Sequence, residues 1–425
     1  RRAAGRRGGR RRRSASLEIG AGYLEAGQDS DIVEVADTSD GRGKCLLASR
    51  DVAAGEALLA EKPTFVRRAG WPWRRTAIEL QRLEPDVRDS LLELSGAPPQ
   101  AGAEDCDDGD GAGGALTAAI RANAVGLPRG GSSVCRLVSR ANHSCRPNAA
   151  LLPEASGAVR VVALRPLRRG EEVLVSYLSE DELLRPAAHR RRELLRGPWG
   201  FACGCSRCSA PDDARGMRCA ACGQGPLRPL PFSESQQQAE AEWTPCFSCG
   251  AALSTPSEDL AASEARWEQR LEELGRRMAG GEEAVLELWR DLIGRGGGEG
   301  AAAEGPAGRG AGRADVAPER WRPLPGHHWI AATLAIEAAK ALLTSDRPLA
   351  AAAVARQSAA FARRCLGGAL SPTAAEAAAI RAKAAEAFAE RAAASSRPAS
   401  AHRALALAEK LRGAALAEAL PVLGE

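Results

Sequence analysis

At 425 residues the chain is long enough for two or three domains with cores of their own, and 44% hydrophobic with 26% charged content is the range of ordinary globular proteins. No apolar run is long enough to span a bilayer and no secretory signal is visible, although the chain opens on Arg1 rather than Met. The formal charge of +4 hides an asymmetry: eight arginines and no acid lie in residues 1–13, which leaves 50 basic against 54 acidic side chains in the remaining, mildly acidic body.

Residues 1–30 read as a basic disordered tail, because arginine, glycine and alanine cannot build a core there. A nuclear-localisation or nucleic-acid patch, a piece of an organelle transit peptide and compositional drift all remain open for it. Any nucleic-acid contact through its arginine run, residues 1–13, would be weak, salt-sensitive and sequence-blind, since that run has no aromatic residues to stack on bases.

Residues 31–66 read as short strands: Asp31 to Val35 alternates, and Cys45 to Ser49 follows a tight Asp40-Gly41-Arg42-Gly43 turn. Residues 67–114 form a helical insertion, with apolar positions at helical spacing over 74–95 and an acidic, glycine-rich loop after it. Within residues 115–200, Leu116 to Ala122 suggests a helix ending before Asn123. Strand patterns return at Val159 to Ala163 and at Glu172 to Tyr177.

Between that helix and the first of these strands lies a dense polar stretch, Asn142-His143-Ser144-Cys145-Arg146-Pro147-Asn148. Each such group buried without a partner costs about 1–3 kcal/mol, so so many polar side chains rarely make a core.

Seven of the twelve cysteines fall within residues 203–249, and such spacing without a secretory signal points to metal rather than disulfides. Cys203, Cys205 and Cys208 supply three thiols, one short of the four that structural zinc takes, and Cys145 is the available fourth. Cys219-x2-Cys222 and Cys246-x2-Cys249 form a second, self-sufficient tetrathiolate set, so about two structural zinc ions per chain are expected. Residues 201–256 are therefore a zinc region. Cys45, Cys106, Cys135 and Cys365 stand alone as buried or incidental thiols.

Residues 257–425 are alanine-rich helices split by a glycine-rich linker at 294–316, with Arg347-Pro348 and Arg397-Pro398 each opening a helix at a shift of 50. His327-His328-Trp329 reads as packing or a helix start, since adjacent helical histidines do not face the same way.

The set Gly41-Arg42-Gly43, Asn142 to Asn148, Gly170-Glu171-Glu172 leading to Ser176-Tyr177, and Cys203-x-Cys205-x2-Cys208 resembles the SET-domain protein lysine methyltransferases, closest to the SMYD (SET and MYND) branch. That resemblance covers residues 35–66 and 115–208, and more loosely the helical end. It implies an α+β protein: a β-rich SET fold (a β-clip with a pseudoknot), a post-SET zinc region and an all-α, TPR-like C-terminal domain.

It also implies S-adenosylmethionine as cofactor, held by Arg42, Gly43, Asn123, Asn142, His143 and Phe201, with Tyr177 as catalytic residue. Trp199 stands in the lysine channel where the family usually has tyrosine. Cys145, Cys203, Cys205 and Cys208 match the post-SET zinc ligands. The MYND finger is absent after Glu61-Lys62-Pro63, where Trp71-Pro72-Trp73 follows without cysteines.

The function so implied is methyl transfer to a lysine of a histone or other protein, by a monomer in the nucleus or cytoplasm and away from membranes. Two other classes stay open: a non-catalytic SET scaffold that binds proteins through its helices, and a zinc-dependent nucleic-acid binder.

Overall fold

The computed structural model describes residues 24–25, 30–94, 112–185, 188–231, 242–252, 257–276, 281–294, 322–366 and 371–394, together with four isolated positions beyond them. The arginine run of residues 1–13, the acidic loop with Cys106, most of the 294–316 linker and the Arg397-Pro398 repeat lie outside these residues.

Three small sheets and one parallel strand pair make the N-terminal half. Strands β1 (Val33–Asp37) and β2 (Lys44–Ala48) form a hairpin around the Asp40–Gly43 turn. Strands β3 (Ala57–Glu61), β8 (Ala149–Pro153) and β9 (Val159–Ala163) form an antiparallel sheet with β9 in the middle. In the third, β6 (Ser132–Val134) lies between β4 (Phe65–Arg67) and β5 (Val125–Gly126). Finally β7 (Asn142–His143) pairs in parallel with β10 (Leu174–Val175). Leu46, Leu58, Val159, Val161, Val173 and Val175 turn inward from these elements into one core, against which Tyr177 packs.

Helices α1 (Trp73–Gln81), α2 (Pro85–Leu92) and α3 (Ala112–Asn123) cover β4 and β6 through Leu80, Leu91, Leu116 and Ile120. The apolar spacing over 74–95 is helical throughout, and the chain makes two helices there. Pro85 is the cause: its ring fixes it at the first turn of α2, and it holds the preceding Glu84 in an extended conformation.

Helices α4 (Glu180–Leu184) and α5 (Ala188–Trp199) follow, and then β11 (Arg215–Met217) within the cysteine-rich region. The remainder comprises α6 (Ser257–Arg276), α7 (Gly281–Ile293), β12 (Pro323–His328), α8 (Trp329–Thr344), α9 (Pro348–Cys365) and α10 (Pro372–Ala394). Alanines line the α8–α10 interface (Ala339, Ala355, Ala359, Ala377), and such small side chains let helix axes come close.

The expectation of an all-α end needs correction. β12 pairs antiparallel with β11, and Arg218 N–H adds a bond to Arg322 O of 2.9 Å, so the zinc region and the helical region share a sheet. His328 closes that strand and caps α8, its Nδ1 accepting from Ile330 N–H at 3.2 Å. The 1–30 tail is also not wholly free. Leu24 donates its N–H to Ala60 O (2.7 Å) and accepts from Lys62 N–H (2.9 Å), which pins it beside the end of β3.

Glu61 is fully buried, and its carboxylate accepts from the N–H groups of Leu137 (3.0 and 3.1 Å) and Val138 (3.0 Å). It thereby caps the 3-10 turn Val138–Arg140 that delivers the chain to Asn142. Burial pushes this carboxyl above the usual carboxylate range, and the backbone donors pull it back. Leaving buried N–H groups without an acceptor costs about 1–3 kcal/mol each. We predict that Glu61→Leu lowers the melting temperature markedly more than Glu61→Gln, which keeps one acceptor oxygen; equal losses in calorimetry would contradict this role.

Candidate functional site

The heptapeptide 142–148 wraps strand β10. Ser144 N–H donates to Val175 O (2.8 Å) and Asn148 N–H to Leu174 O (2.9 Å). The Asn148 side chain completes the grip, its Oδ1 accepting from Leu174 N–H at 2.7 Å and its Nδ2 donating to Glu172 O at 2.8 Å. With its carbonyl accepting from Leu164 N–H (2.8 Å), every polar group of this buried asparagine has a partner. That accounts for a polar segment lying at the centre of the fold.

Asn142 and Arg42 meet on Glu172. Asn142 Nδ2 donates to Glu172 Oε1 at 2.8 Å and to Lys44 O at 3.2 Å. Arg42 forks onto both carboxylate oxygens at 3.0 and 3.2 Å, and its Nε reaches Asp40 at 2.6 Å. Hydrogen bonding to Glu172 raises the Arg42 pKa further above its usual value. The turn before β2 is thus tied to the strand-end bearing Glu172. A Cβ built on Gly41 or Gly43 would meet nothing within 4 Å, and both have left-handed φ (+77° and +95°), so this edge is open.

His143 is buried and joins two further parts. Its Nδ1 accepts from Tyr177 N–H at 3.0 Å, and its Nε2 lies 3.3 Å from Cys145 Sγ. An imidazole that accepts at Nδ1 carries its proton on Nε2 when neutral, so the N–H points at the sulfur. Tyr177 OH donates to Ala141 O at 3.0 Å, and burial pushes its phenol up to about 12, so it stays protonated near neutrality.

Around these two lie Phe201, with its ring 6.0 Å from His143 and 6.4 Å from Tyr177, and Trp199, 5.4 Å from Tyr177. The indole N–H of Trp199 is committed to Ala122 O at 2.8 Å, which fastens the end of α5 to the end of α3. Tyr177, Trp199 and Asn123 line one cavity of about 260 Å³, completed by Val138, Leu151 and Ser179. Asn123 therefore faces Tyr177 and Trp199, its Nδ2 donating to Ala119 O at 2.8 Å. Arg42, Gly43, Asn142, His143 and Phe201 do not line this cavity.

The eight candidate ligands fall into two sets. In Cys145, Cys203, Cys205 and Cys208 the sulfurs lie within 4.8 Å of one another, with Cys145 3.5 Å from Cys208 and 3.9 Å from Cys203. In Cys219, Cys222, Cys246 and Cys249 the pairs 219/249 and 222/246 stand at 3.8 and 3.7 Å. A tetrahedron with Zn–S of about 2.3 Å has edges of about 3.8 Å, so both sets could hold zinc.

A tetrathiolate zinc carries two net negative charges, and a half-buried and a buried guanidinium hold the backbone carbonyls of the first set. Arg192 donates to Cys203 O (3.2 Å) and Cys208 O (3.1 Å), and Arg207 to Cys145 O (3.3 Å) while pairing with Asp213 at 2.9 Å. Cys45, Cys135 and Cys365 are buried and belong to neither set, although Cys365 shares a core cluster with the first.

Three participants carry no assigned role in the sequence reading. Glu172 and Asn148 stand inside motifs already singled out there, so the signal was present without a partner to interpret it. The Ala141 carbonyl that receives Tyr177 OH could not be found from residue type at all. We predict about two zinc ions per chain by elemental analysis. Cys145→Ser and Cys222→Ser should each remove one, and loss of both ions from either substitution would sink the reading of two separate sites.

Residues 43–178 match the family model for the SET domain. Among curated proteins, the chain is 39% identical over 84 residues to human "Protein-lysine N-trimethyltransferase SMYD5", covering 20% of each chain. It is 39% identical over 80 residues to "Histone-lysine N-methyltransferase SET5" of Meyerozyma guilliermondii, which is 18% of this chain and 15% of that one. With "Histone-lysine N-methyltransferase ATXR2" of Arabidopsis thaliana it shares 35% over 81 residues, 18% of this chain and 16% of the relative. The matched region thus spans a fifth or less of these relatives' own length.

Among solved structures, the SET domain of LSMT bound to lysine and AdoHcy aligns over 94% of this chain and 93% of its own, at 12% identity and a TM-score of 0.30, and the assignment rests on the sequence matches instead. Residues 43–178 match the SET domain, and over 80 to 84 residues the chain is similar to lysine methyltransferases of the SMYD5, SET5 and ATXR2 kinds.

Proposed function

We propose that this protein is a protein-lysine N-methyltransferase that uses S-adenosylmethionine. The observation that carries the reading is the convergence of Tyr177, Trp199 and Asn123 on one cavity, with the His143 and Phe201 rings packed beside Tyr177, at the end of the 43–178 stretch that matches the SET domain.

S-adenosylmethionine, when bound, supplies an electrophilic methyl group on a positively charged sulfur. The open edge at Gly41–Gly43, anchored through Arg42 and Asn142 on Glu172, suits the cofactor's polar groups, and the rings of His143 and Phe201 suit its purine.

The lysine must arrive uncharged. From an ordinary pKa of about 10.4, neutralising it near pH 7.4 costs roughly 4 kcal/mol. The apolar cavity lowers that cost by desolvating the ammonium, whose proton goes to water before attack. Tyr177 then orients the amine. Its hydroxyl hydrogen is already spent on Ala141 O, so toward the amine the phenol is an acceptor only. It binds an amine N–H and leaves the nitrogen lone pair aimed at the methyl carbon. With the cofactor bound, the C–N bond would form as the sulfonium C–S bond breaks, the neutral thioether would leave with the sulfur, and the product ammonium would lose its extra proton to solvent. Trp199, its N–H also spent, offers the lysine stem only a π face.

Zinc in the Cys145 set would be structural, fixing the heptapeptide to the segment that carries Phe201. We read that set as a post-SET site, 142–148 with β10 as the SET pseudoknot, and α8–α10 as a TPR-like array. The partner is a protein bearing a reactive lysine, met by a monomer in the nucleus or cytoplasm.

Methyl-labelled cofactor incubated with protein mixtures and read by mass spectrometry tests the reaction. We predict that Tyr177→Phe cuts transfer by about a hundredfold, the scale of a misplaced reactant, with cofactor affinity held within about threefold. Asn142→Ala, which releases the Gly41–Gly43 turn, should weaken cofactor binding about tenfold in calorimetry. A folded, zinc-loaded sample that gives no heat with millimolar cofactor would leave only a non-catalytic scaffold.

A further inference from the structure

The segment that follows β4, where no MYND finger occurs, builds a basic surface of unusual order. Trp73 lies between two guanidiniums, Arg67 at 4.6 Å and Arg121 at 4.4 Å from its ring centroid. Trp71 carries Arg75 at 4.7 Å and Arg68 at 5.6 Å. Arg68, Arg74 and Arg75 are exposed, and both tryptophans are half-buried.

The β5–β6 turn brings exposed Arg129 to the same place. Its approach is so close that a Cβ on Gly131 would meet Arg67 O at 2.4 Å. Elsewhere the exposed arginines are commonly paired, as Arg42, Arg50 and Arg165 are with Glu172, Glu56 and Glu171. Among the described residues, Arg68, Arg74, Arg75 and Arg129 make no ion pair.

We propose that this surface, centred on Arg68, Arg75, Trp71 and Trp73, docks single-stranded nucleic acid through its phosphodiester backbone. A guanidinium stacked on an indole is already oriented, so less rotamer freedom is lost when its outer N–H groups reach a phosphate. Uncompensated positive charge gathers phosphates and releases their counterions.

The stacked planes decide which polymer fits. The tryptophan faces are covered by guanidiniums, and the outer planes of the exposed Arg68 and Arg75, held flat by Trp71, are what unstacked bases can stack on. A duplex keeps its bases inside and would leave these planes unused, and an acidic peptide has carboxylates but few planar groups. The surface does not depend on methyl transfer, so its test needs no assay of that activity.

The test is fluorescence anisotropy of the full chain with a labelled 20-mer of uridylate across a salt series. Arg68→Gln with Arg75→Gln should weaken binding at least tenfold and reduce the salt slope by about 1.4, the share of two phosphate contacts on a single strand. Trp71→Leu should weaken binding while zinc content stays unchanged. The conservative pair Arg68→Lys with Arg75→Lys should fall between wild type and the glutamine pair, since charge remains and the stacked plane is lost. If Trp71→Leu fails to fold, the exposed arginine variants still decide the matter.

The proposal is overturned by binding that the arginine variants leave unchanged, which would assign it to residues 1–13. Poly-glutamate or duplex DNA competing better than the single strand would overturn it too, as would no binding at 50 mM salt.

Discussion

One imidazole holds the centre of this molecule together. His143 takes the Tyr177 N–H on one nitrogen and faces the Cys145 sulfur with the other, so the phenol, the heptapeptide and a candidate metal set share a single side chain. A neutral ring with one donor and one acceptor nitrogen can satisfy both neighbours only in one tautomer. Metal ligands elsewhere are steadied by partners of this kind, whose hydrogen bonds fix the orientation of the coordinating atom. Geometry at the sulfurs and geometry at the phenol are consequently not independent.

Around that ring the fold works by enclosing polar atoms rather than avoiding them. Asn148 stands in for a strand on β10, Glu61 caps a turn from inside the core, and Glu172 receives both Asn142 and Arg42. Each is a group whose isolation would be costly and whose full pairing makes the local path of the chain unambiguous. The apolar core provides bulk, and these bonds provide register.

Much of the site could be read from the residues because its chemistry is carried by short, dense motifs. Cys145 was legible as a fourth ligand by counting thiols alone, and the structure puts its sulfur among those of Cys203, Cys205 and Cys208. Less could be read where a backbone atom or a distant element does the work. The Ala141 carbonyl has no side-chain signature. β12 hid behind Pro323, Pro325 and Gly326, residues that ordinarily announce a loop. Apolar periodicity ran straight through Leu83, Glu84 and Pro85 without showing the break, because a proline compatible with a first helical turn does not disturb the pattern on either side. The Arg–Trp stacking was equally invisible, since Arg121 reaches Trp73 from far along the chain.

The pairing of β11 with β12 has a consequence for how the protein is made. Roughly a hundred residues separate the two strands. During synthesis the edge at Arg215–Met217 must wait, at about 5–20 residues per second, for its mate to clear the ribosome. Joining ends that far apart costs roughly 4 kcal/mol of loop entropy before any contact repays it. The cysteine-rich module is thereby born with an open flank, and its docking belongs to the last stage of maturation.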